Sequence, residues 1–390
     1  MAVPTVPPAA RTAGGRIDGL DGMRAVAALS VFCYHALWRA PVLKPLAPVF
    51  GHGDVGVEIF FVITGFLVSR PIASHLAGRG PRVGVGRFWI KRSLRIWPAY
   101  LVALAGAALI GLTSLRWPDG WLKNLFLVQS WFEDRGGDGL RVSWTLVVDV
   151  AFCAAVVPLG LVVGLARRHA LTLWVAATVA TVAFGSWALA WTTTNETHQA
   201  WRILPPYLPC FGLGMLLAVT EVAASAPDRL APLAGRLLDG VRRMAGRWRW
   251  CVGAAVAVVG ALMILLPANE VTPAVEFGRE RQLQSFAQVA IAFLLLAPVL
   301  LRSGHPRLLD RRWSVAIGLA SYGFFLWHIQ VLRLVRPLLD DADLIAVVGL
   351  LLAVLGAFLV GEASRRWVEA PAGRLAKRLE GRLGRAEGAR

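Results

Sequence analysis

An arginine and a histidine eleven positions apart in one apolar segment are the residues most able to do chemistry together. Arg24 and His35 are separated mainly by Ala, Val, Leu and Phe. In a helix, eleven steps of about 100° return to within roughly 20° of the starting face and climb about 16 Å. Histidine exchanges protons near neutral pH, and arginine binds phosphate or carboxylate groups. The spacing predicts one helix carrying a general base and a fixed cation; the alternative for His35 is a structural hydrogen bond.

A glutamate in the next apolar segment could act on the same imidazole. Glu58 enters an otherwise apolar run from the end at which His35 lies in its own segment. A neighbouring carboxylate can orient an imidazole and stabilise its protonated form. We therefore predict that Glu58 orients His35. The alternative is a carboxylate that is solvated at the membrane interface.

A basic cluster precedes the third apolar segment and lies at the same predicted membrane surface as Arg24. Its members are Lys91, Arg92 and Arg95. Together with Arg24 they could hold a polyanion such as a nucleotide pyrophosphate. The alternative for each residue alone is an anchor in a basic loop, because such loops favour the cytoplasmic side.

Further polar residues interrupt two later apolar segments. Asp149 follows Trp144 in the fourth, and a carboxylate in a membrane needs a partner, which we expect to be an arginine. Ser321, Tyr322 and His328 share the ninth, in which the serine and the histidine are seven positions apart and so lie on one helix face. We interpret these five residues as substrate contacts or structural support rather than as a second base.

The composition predicts a membrane protein that crosses the bilayer many times. Apolar residues make up 56% of the 390 positions and charged residues only 17%, too few to cover a soluble protein of this length. The net charge of +17 arises from short clusters between apolar runs, which argues against nucleic acid as a partner. The four cysteines show no metal-ligand spacing, so we expect neither a metal site nor a tightly bound cofactor.

Ten apolar segments approach the length of about 20 residues that spans a bilayer. The predicted all-α fold has spans at roughly 21–38, 55–76, 96–114, 143–166, 171–191, 204–224, 250–268, 285–301, 314–332 and 343–362. Arginine-rich loops alternate with acidic loops, which predicts that both termini are cytoplasmic. We divide the chain into a disordered tail (1–15), a transmembrane domain (16–370) and a basic cytoplasmic tail (371–390).

Five sequence motifs resemble those of the acyltransferase-3 family of integral-membrane acyltransferases. They occur in the family's order, as DGMRAVAALSVFCYH, GVEIFFVITGF, KRSLRIWPAY, SYGFFLWH and VEAP. Two of these motifs depart from the usual pattern at one position each, where Thr64 replaces a serine and Phe325 a tyrosine, and VEAP contains one inserted residue. A further segment in the fourth span, WTLVVD, resembles the family's WSLxVE with Asp149 in place of the glutamate. The shorter aspartate keeps the carboxylate and changes its reach.

The resemblance implies transfer of an acyl group, usually acetyl, from acyl-CoA to a sugar hydroxyl. Envelope glycans, lipid-linked sugars and macrolide-type natural products, hence antibiotic biosynthesis, are the acceptors that the family suggests. His35 would then be the general base, or the nucleophile of an acyl-histidine intermediate. The site would lie in a bacterial inner membrane. The alternative function is a proton-coupled transporter or flippase, because buried charges along many spans also suit a carrier.

Overall fold

The computed structural model describes residues 16–116, 118–132, 139–195, 202–266, 278–340 and 344–388, with side chains up to residue 382. These residues form helices joined by turns, and no strand occurs among them. The all-α prediction is therefore confirmed. The predicted disordered tail, 1–15, lies outside the described residues.

Twelve helices of 15 residues or more carry the architecture. In chain order they are α1 (Leu20–Leu37), α2 (Val55–Leu76), α3 (Val85–Leu109), α4 (Trp144–Gly164), α5 (Ala170–Thr194), α6 (Leu208–Ala223), α7 (Pro232–Gly246), α8 (Trp248–Leu265), α9 (Gly278–Leu300), α10 (Arg312–Leu334), α11 (Leu344–Ser364) and α12 (Ala370–Gly388). Ten of them match the ten predicted spans, and α7 and α12 are amphipathic helices between or after them.

Two of the ten matching helices differ from the rest in composition. Eight helical segments are long and apolar enough to cross a bilayer, and these include every matching helix except α1 and α3. Those two carry Arg24 with His35 and the 91–95 basic cluster, respectively. Charged side chains are costly in a membrane, and those that occur there concentrate at functional positions. These charges make α1 and α3 less apolar than the other eight matching helices. The cytoplasmic location of both termini stays a prediction.

The bundle has two ends that differ in charge. We call the end with loops 77–84, 165–169, 224–231 and 301–311 the basic face, since these loops are rich in arginine. The opposite face carries the segments 38–54, 110–116, 118–132, 139–143 and 335–340. Successive spans run antiparallel, so α1 starts at the basic face and ends at the opposite face.

Glycines allow the site helices to approach closely. A Cβ added at Gly318 of α10 would lie 1.8 Å from the backbone oxygen of Asp21 in α1. A Cβ at Gly214 of α6 would lie 2.2 Å from the oxygen of Val62 in α2. Small residues let membrane helices pack backbone against backbone. The contact between α1 and α10 sets the distance between the two helices that carry the site histidines.

The C-terminal segment continues the last span. A π-helical turn, Arg365–Glu369, joins α11 to α12, and α12 then packs along α3. Lys91 of α3 lies 3.5 Å from Glu380 of α12. The predicted basic tail therefore begins as a helix that is held against the bundle.

Candidate active site

Two histidines from different helices meet inside the bundle. Nε2 of His328 in α10 lies 3.2 Å from Nδ1 of His35 in α1. His328 Nδ1 lies 2.7 Å from the carbonyl oxygen of Phe325, and His35 Nδ1 lies 2.9 Å from that of Val31. The two imidazoles are thus linked to each other and to one carbonyl each.

These contacts fix which nitrogens carry protons. A carbonyl oxygen only accepts hydrogen bonds, so His328 donates from Nδ1 and its neutral ring keeps a lone pair on Nε2. His35 also donates from Nδ1, shared between the Val31 oxygen and that lone pair. Nε2 of His35 then holds the remaining lone pair, and it has no hydrogen-bond partner among the described residues. A neutral imidazole nitrogen with an unshared lone pair, as at His35 Nε2, has the chemistry to accept a proton or to attack a carbonyl carbon.

Glu58 lines the same cavity as His35 without touching its ring. The carboxylate is 7% exposed, and its Oε2 has no hydrogen-bond partner within the described part of the chain. The expectation that Glu58 orients His35 differs from this geometry, in which Val31 and His328 hold the imidazole. The sequence could not give this result, because the pairing depends on how α1 packs against α10.

Three cavities form a series through the bundle. The first, of about 140 Å³, lies toward the basic face and is lined by Arg24, Arg95 and Tyr322 among others. The second, of about 200 Å³, contains His35 and Glu58. The third, of about 310 Å³, lies at the opposite face.

Neighbouring cavities share lining residues. Val57, Thr145 and Phe325 line both the first and the second cavity. His35 lines both the second and the third, as do Trp38 and Arg141. His35 therefore lies between the interior of the bundle and the opposite face. Val57, Thr145 and Phe325, which we call the neck, lie between the first cavity and the second.

The predicted basic cluster divides into three environments. Arg92 forms an ion pair with Asp149 of α4, which confirms the expected arginine partner for that carboxylate. Arg24 lies 3.2 Å from Asp21, while Arg95 forms no ion pair with a described residue. Lys91 is paired with the C-terminal helix and is not among the residues that line the first cavity. Arg95 is thus the cation most available to a ligand there, and Arg24 lines the same cavity while it is paired with Asp21.

The remaining predicted residues support the cavity walls. Ser321 lines the first cavity, and the Tyr322 hydroxyl donates a 2.7 Å hydrogen bond to the Ile96 carbonyl of α3. Trp144 lines the second cavity and packs against Tyr207, with ring centroids 5.3 Å apart. No group of three or more His, Cys, Asp or Glu side chains in the described ranges is arranged to hold a metal ion.

Sequence analysis missed polar residues at the opposite face. Arg39, Arg141 and Arg336 line the third cavity, and Arg281 pairs with Asp54 at 3.2 Å beside the second. Their signal in the sequence was faint: each is a lone arginine in or near a loop on the side otherwise marked by acidic residues.

Fold and site together define a multi-pass membrane protein that holds a histidine pair between internal cavities. The acyltransferase domain that characterises the acyltransferase-3 family matches residues 17–362. The chain therefore belongs to the acyltransferase-3 family. The matched range falls inside the predicted transmembrane domain, 16–370.

The curated relatives are bacterial. The chain is 24% identical to the peptidoglycan O-acetyltransferase OatA of Listeria monocytogenes over 382 residues, covering 91% of this chain and 55% of the relative. It is 22% identical to a Staphylococcus aureus protein provisionally named an O-acetyltransferase, over 380 residues, 91% of this chain and 57% of the relative. The chain thus spans little more than half the length of these relatives. No solved structure gives a significant match.

Proposed function

We propose that the protein is a membrane O-acyltransferase that moves an acyl group, acetyl in the first instance, from acyl-CoA to a hydroxyl of a sugar-containing acceptor. The observation that carries the proposal is the histidine pair, which fixes the tautomer of His35 and keeps Nε2 available beside two cavities. Family membership and the printed names of the relatives support the same reaction. The membrane would be a bacterial plasma membrane.

The first cavity suits the donor. Arg24 and Arg95 supply positive charge for the phosphates of CoA, and the Ser321 and Tyr322 side chains line the wall beyond them. The acyl-bearing arm would pass the neck formed by Val57, Thr145 and Phe325 to reach His35. With the termini in the cytoplasm, the donor enters from that side and the acceptor from the other.

The transfer needs one base and returns its proton. His35 Nε2 takes the proton of the acceptor hydroxyl while the oxygen attacks the thioester carbonyl. The new C–O ester bond forms, the C–S bond breaks, and the thiolate of CoA recovers the proton from the imidazolium. While His35 is charged, its Nδ1–H bond to His328 becomes charge-assisted, which stabilises the protonated state.

The experiment compares His35→Ala with wild type, each in proteoliposomes. The donor is acetyl-CoA labelled in the acetyl group, and the acceptors are a panel of glycans, lipid-linked sugars and macrolides. Wild type should release free CoA and label one acceptor class. His35→Ala should lower turnover by about 10²- to 10⁴-fold, the usual contribution of a general base.

The matched control is His169→Ala, an exposed histidine at the basic face. It should turn over at the wild-type rate. Turnover retained by correctly folded His35→Ala would contradict the mechanism. Wild-type protein that neither binds acetyl-CoA nor releases CoA would favour the carrier alternative.

A further inference from the structure

The opposite face holds a concentration of arginine that the bundle itself does not neutralise. Arg39 follows α1, Arg141 precedes α4, and Arg336 follows α10, so three different elements bring them to one cavity. Arg333, on the last turn of α10, donates to the Leu112 carbonyl beside them. The cavity wall contains one described carboxylate, Asp340, which lies 3.7 Å from Arg336.

Two of these arginines have no counter-ion among the residues that the structure describes. No described carboxylate pairs with Arg39 or Arg141. Arg39 is half-buried. Desolvation lowers the pKa of its guanidinium, and the positive charges of three neighbouring arginines lower that pKa further. Like charges held together without a partner destabilise the protein unless a ligand compensates them. The arrangement is therefore that of a site awaiting an anion.

The cavity adjoins the proposed base. His35, Trp38 and Arg39 all form part of its wall together with Arg141. An anion held by Arg39 and Arg141 would thus lie in a cavity that the imidazole also lines. The charge is also on the face where loop arginines are otherwise sparse, so it is not explained by the rule that places arginine in cytoplasmic loops.

Lipid headgroups would be a different occupant. An arginine that anchors a helix in headgroups lies on the rim with its guanidinium in water. Arg39 instead is half-buried in the wall of a cavity of about 310 Å³ that Trp38 and His35 also line, while Arg141 in the same wall is exposed. That position favours a ligand that enters the cavity.

We infer that the acceptor is anionic: a sugar-containing compound whose phosphate or carboxylate is held by Arg39 and Arg141 in the cavity that His35 also lines. The inference rests on the proposed function, since it names the acceptor class of the same site. Arg336, with its own carboxylate neighbour, contributes less to this binding than the two unpaired arginines.

The test measures equilibrium binding to the full chain in nanodiscs of neutral phosphatidylcholine, without donor. Three probes differ only at carbon 6 of the ring: methyl glucoside, methyl glucuronide and methyl glucoside 6-phosphate. Wild type should bind at least one charged probe tenfold or more tightly than the neutral probe, and added salt should weaken only charged binding. The two charged probes distinguish carboxylate from phosphate.

The variant Arg39→Gln/Arg141→Gln should lose the preference for charge, whereas Arg168→Gln, an exposed arginine at the basic face, should keep it. Equal wild-type binding of all three probes, without salt dependence, would overturn the inference and needs no variant to fold. So would charged binding that survives the double substitution. Loss of charged binding when phosphatidylglycerol replaces the neutral lipid would assign the arginines to headgroups instead.

The two proposals fail separately. Wild type that binds the charged probe but never releases CoA from acetyl-CoA would contradict the proposed function. Wild type that acylates an uncharged acceptor, with no binding of charged probes, would contradict only the anionic acceptor.

Discussion

Removing the second histidine tests the proton arrangement at the site. The substitution His328→Leu deletes the lone pair that accepts the His35 Nδ1–H at 3.2 Å, while the Val31 oxygen remains at 2.9 Å. His35 therefore keeps its tautomer and loses only the partner that supports its charged form. We expect a partial loss of kcat rather than an inactive protein.

The magnitude follows from the difference between a neutral and a charge-assisted hydrogen bond. A neutral bond contributes roughly 0.5–1.5 kcal/mol and a bond to a charged group roughly 1.5–3 kcal/mol. The gain on protonation of His35 is thus about 1–1.5 kcal/mol, and each 1.36 kcal/mol is about tenfold in rate. His328→Leu should lower kcat about tenfold, with little change in KM for acetyl-CoA.

The assay is steady-state release of CoA with saturating acceptor, and His328→Gln is the matched variant. The glutamine carbonyl reaches a position near the original Nε2 and accepts the same hydrogen bond, so His328→Gln should recover most of the rate. A kcat for folded His328→Leu equal to wild type would refute the reasoning. Equal, severe losses in both variants would instead make His328 itself a proton carrier.

Two further predictions concern the charges of the first cavity. Arg95→Gln should raise KM for acetyl-CoA about tenfold. It should leave KM for acetyl-pantetheine unchanged, because that donor lacks the nucleotide phosphates. Equal effects on both donors would show that Arg95 does not contact phosphate. Asp149→Leu should destabilise the protein by roughly 3–5 kcal/mol, because it leaves the buried guanidinium of Arg92 unpaired. The melting temperature of Asp149→Leu in detergent should be well below that of the double variant Arg92→Met/Asp149→Leu. Equal melting temperatures for the single and the double variant would mean that the ion pair is solvated.

The sequence predicts the helices better than it predicts the site. The ten predicted apolar segments coincide with ten helices, eight of which are long and apolar enough to cross a bilayer, because every backbone group in lipid must be satisfied within its own segment. The i, i+11 spacing of Arg24 and His35 is likewise a property of one helix, and the two residues do line cavities toward opposite ends of the bundle. The partner of Asp149 could also be foreseen, since a membrane carboxylate requires a cation.

The sequence does not predict which side chains of different helices contact each other. The prediction that Glu58 orients His35 rested on matching depth, which does not determine the rotation of α2 relative to α1. His328 reaches His35 because Gly318 lets α10 approach α1 at backbone distance, a packing detail that apolar periodicity does not encode. Lys91 shows the same limit: it shares a helix with Arg95, yet it pairs with α12 outside the cavity.

The neck between the first two cavities has a consequence for the passage of water and ions through the bundle. Val57 and Phe325 are apolar, and the hydroxyl of Thr145 is turned back to the Val142 carbonyl at 2.8 Å, which leaves the neck little to offer an ion or a water chain. Apolar constrictions resist wetting. The passage between the first and second cavities is therefore lined by groups that do not favour a continuous file of water or ions through the bundle.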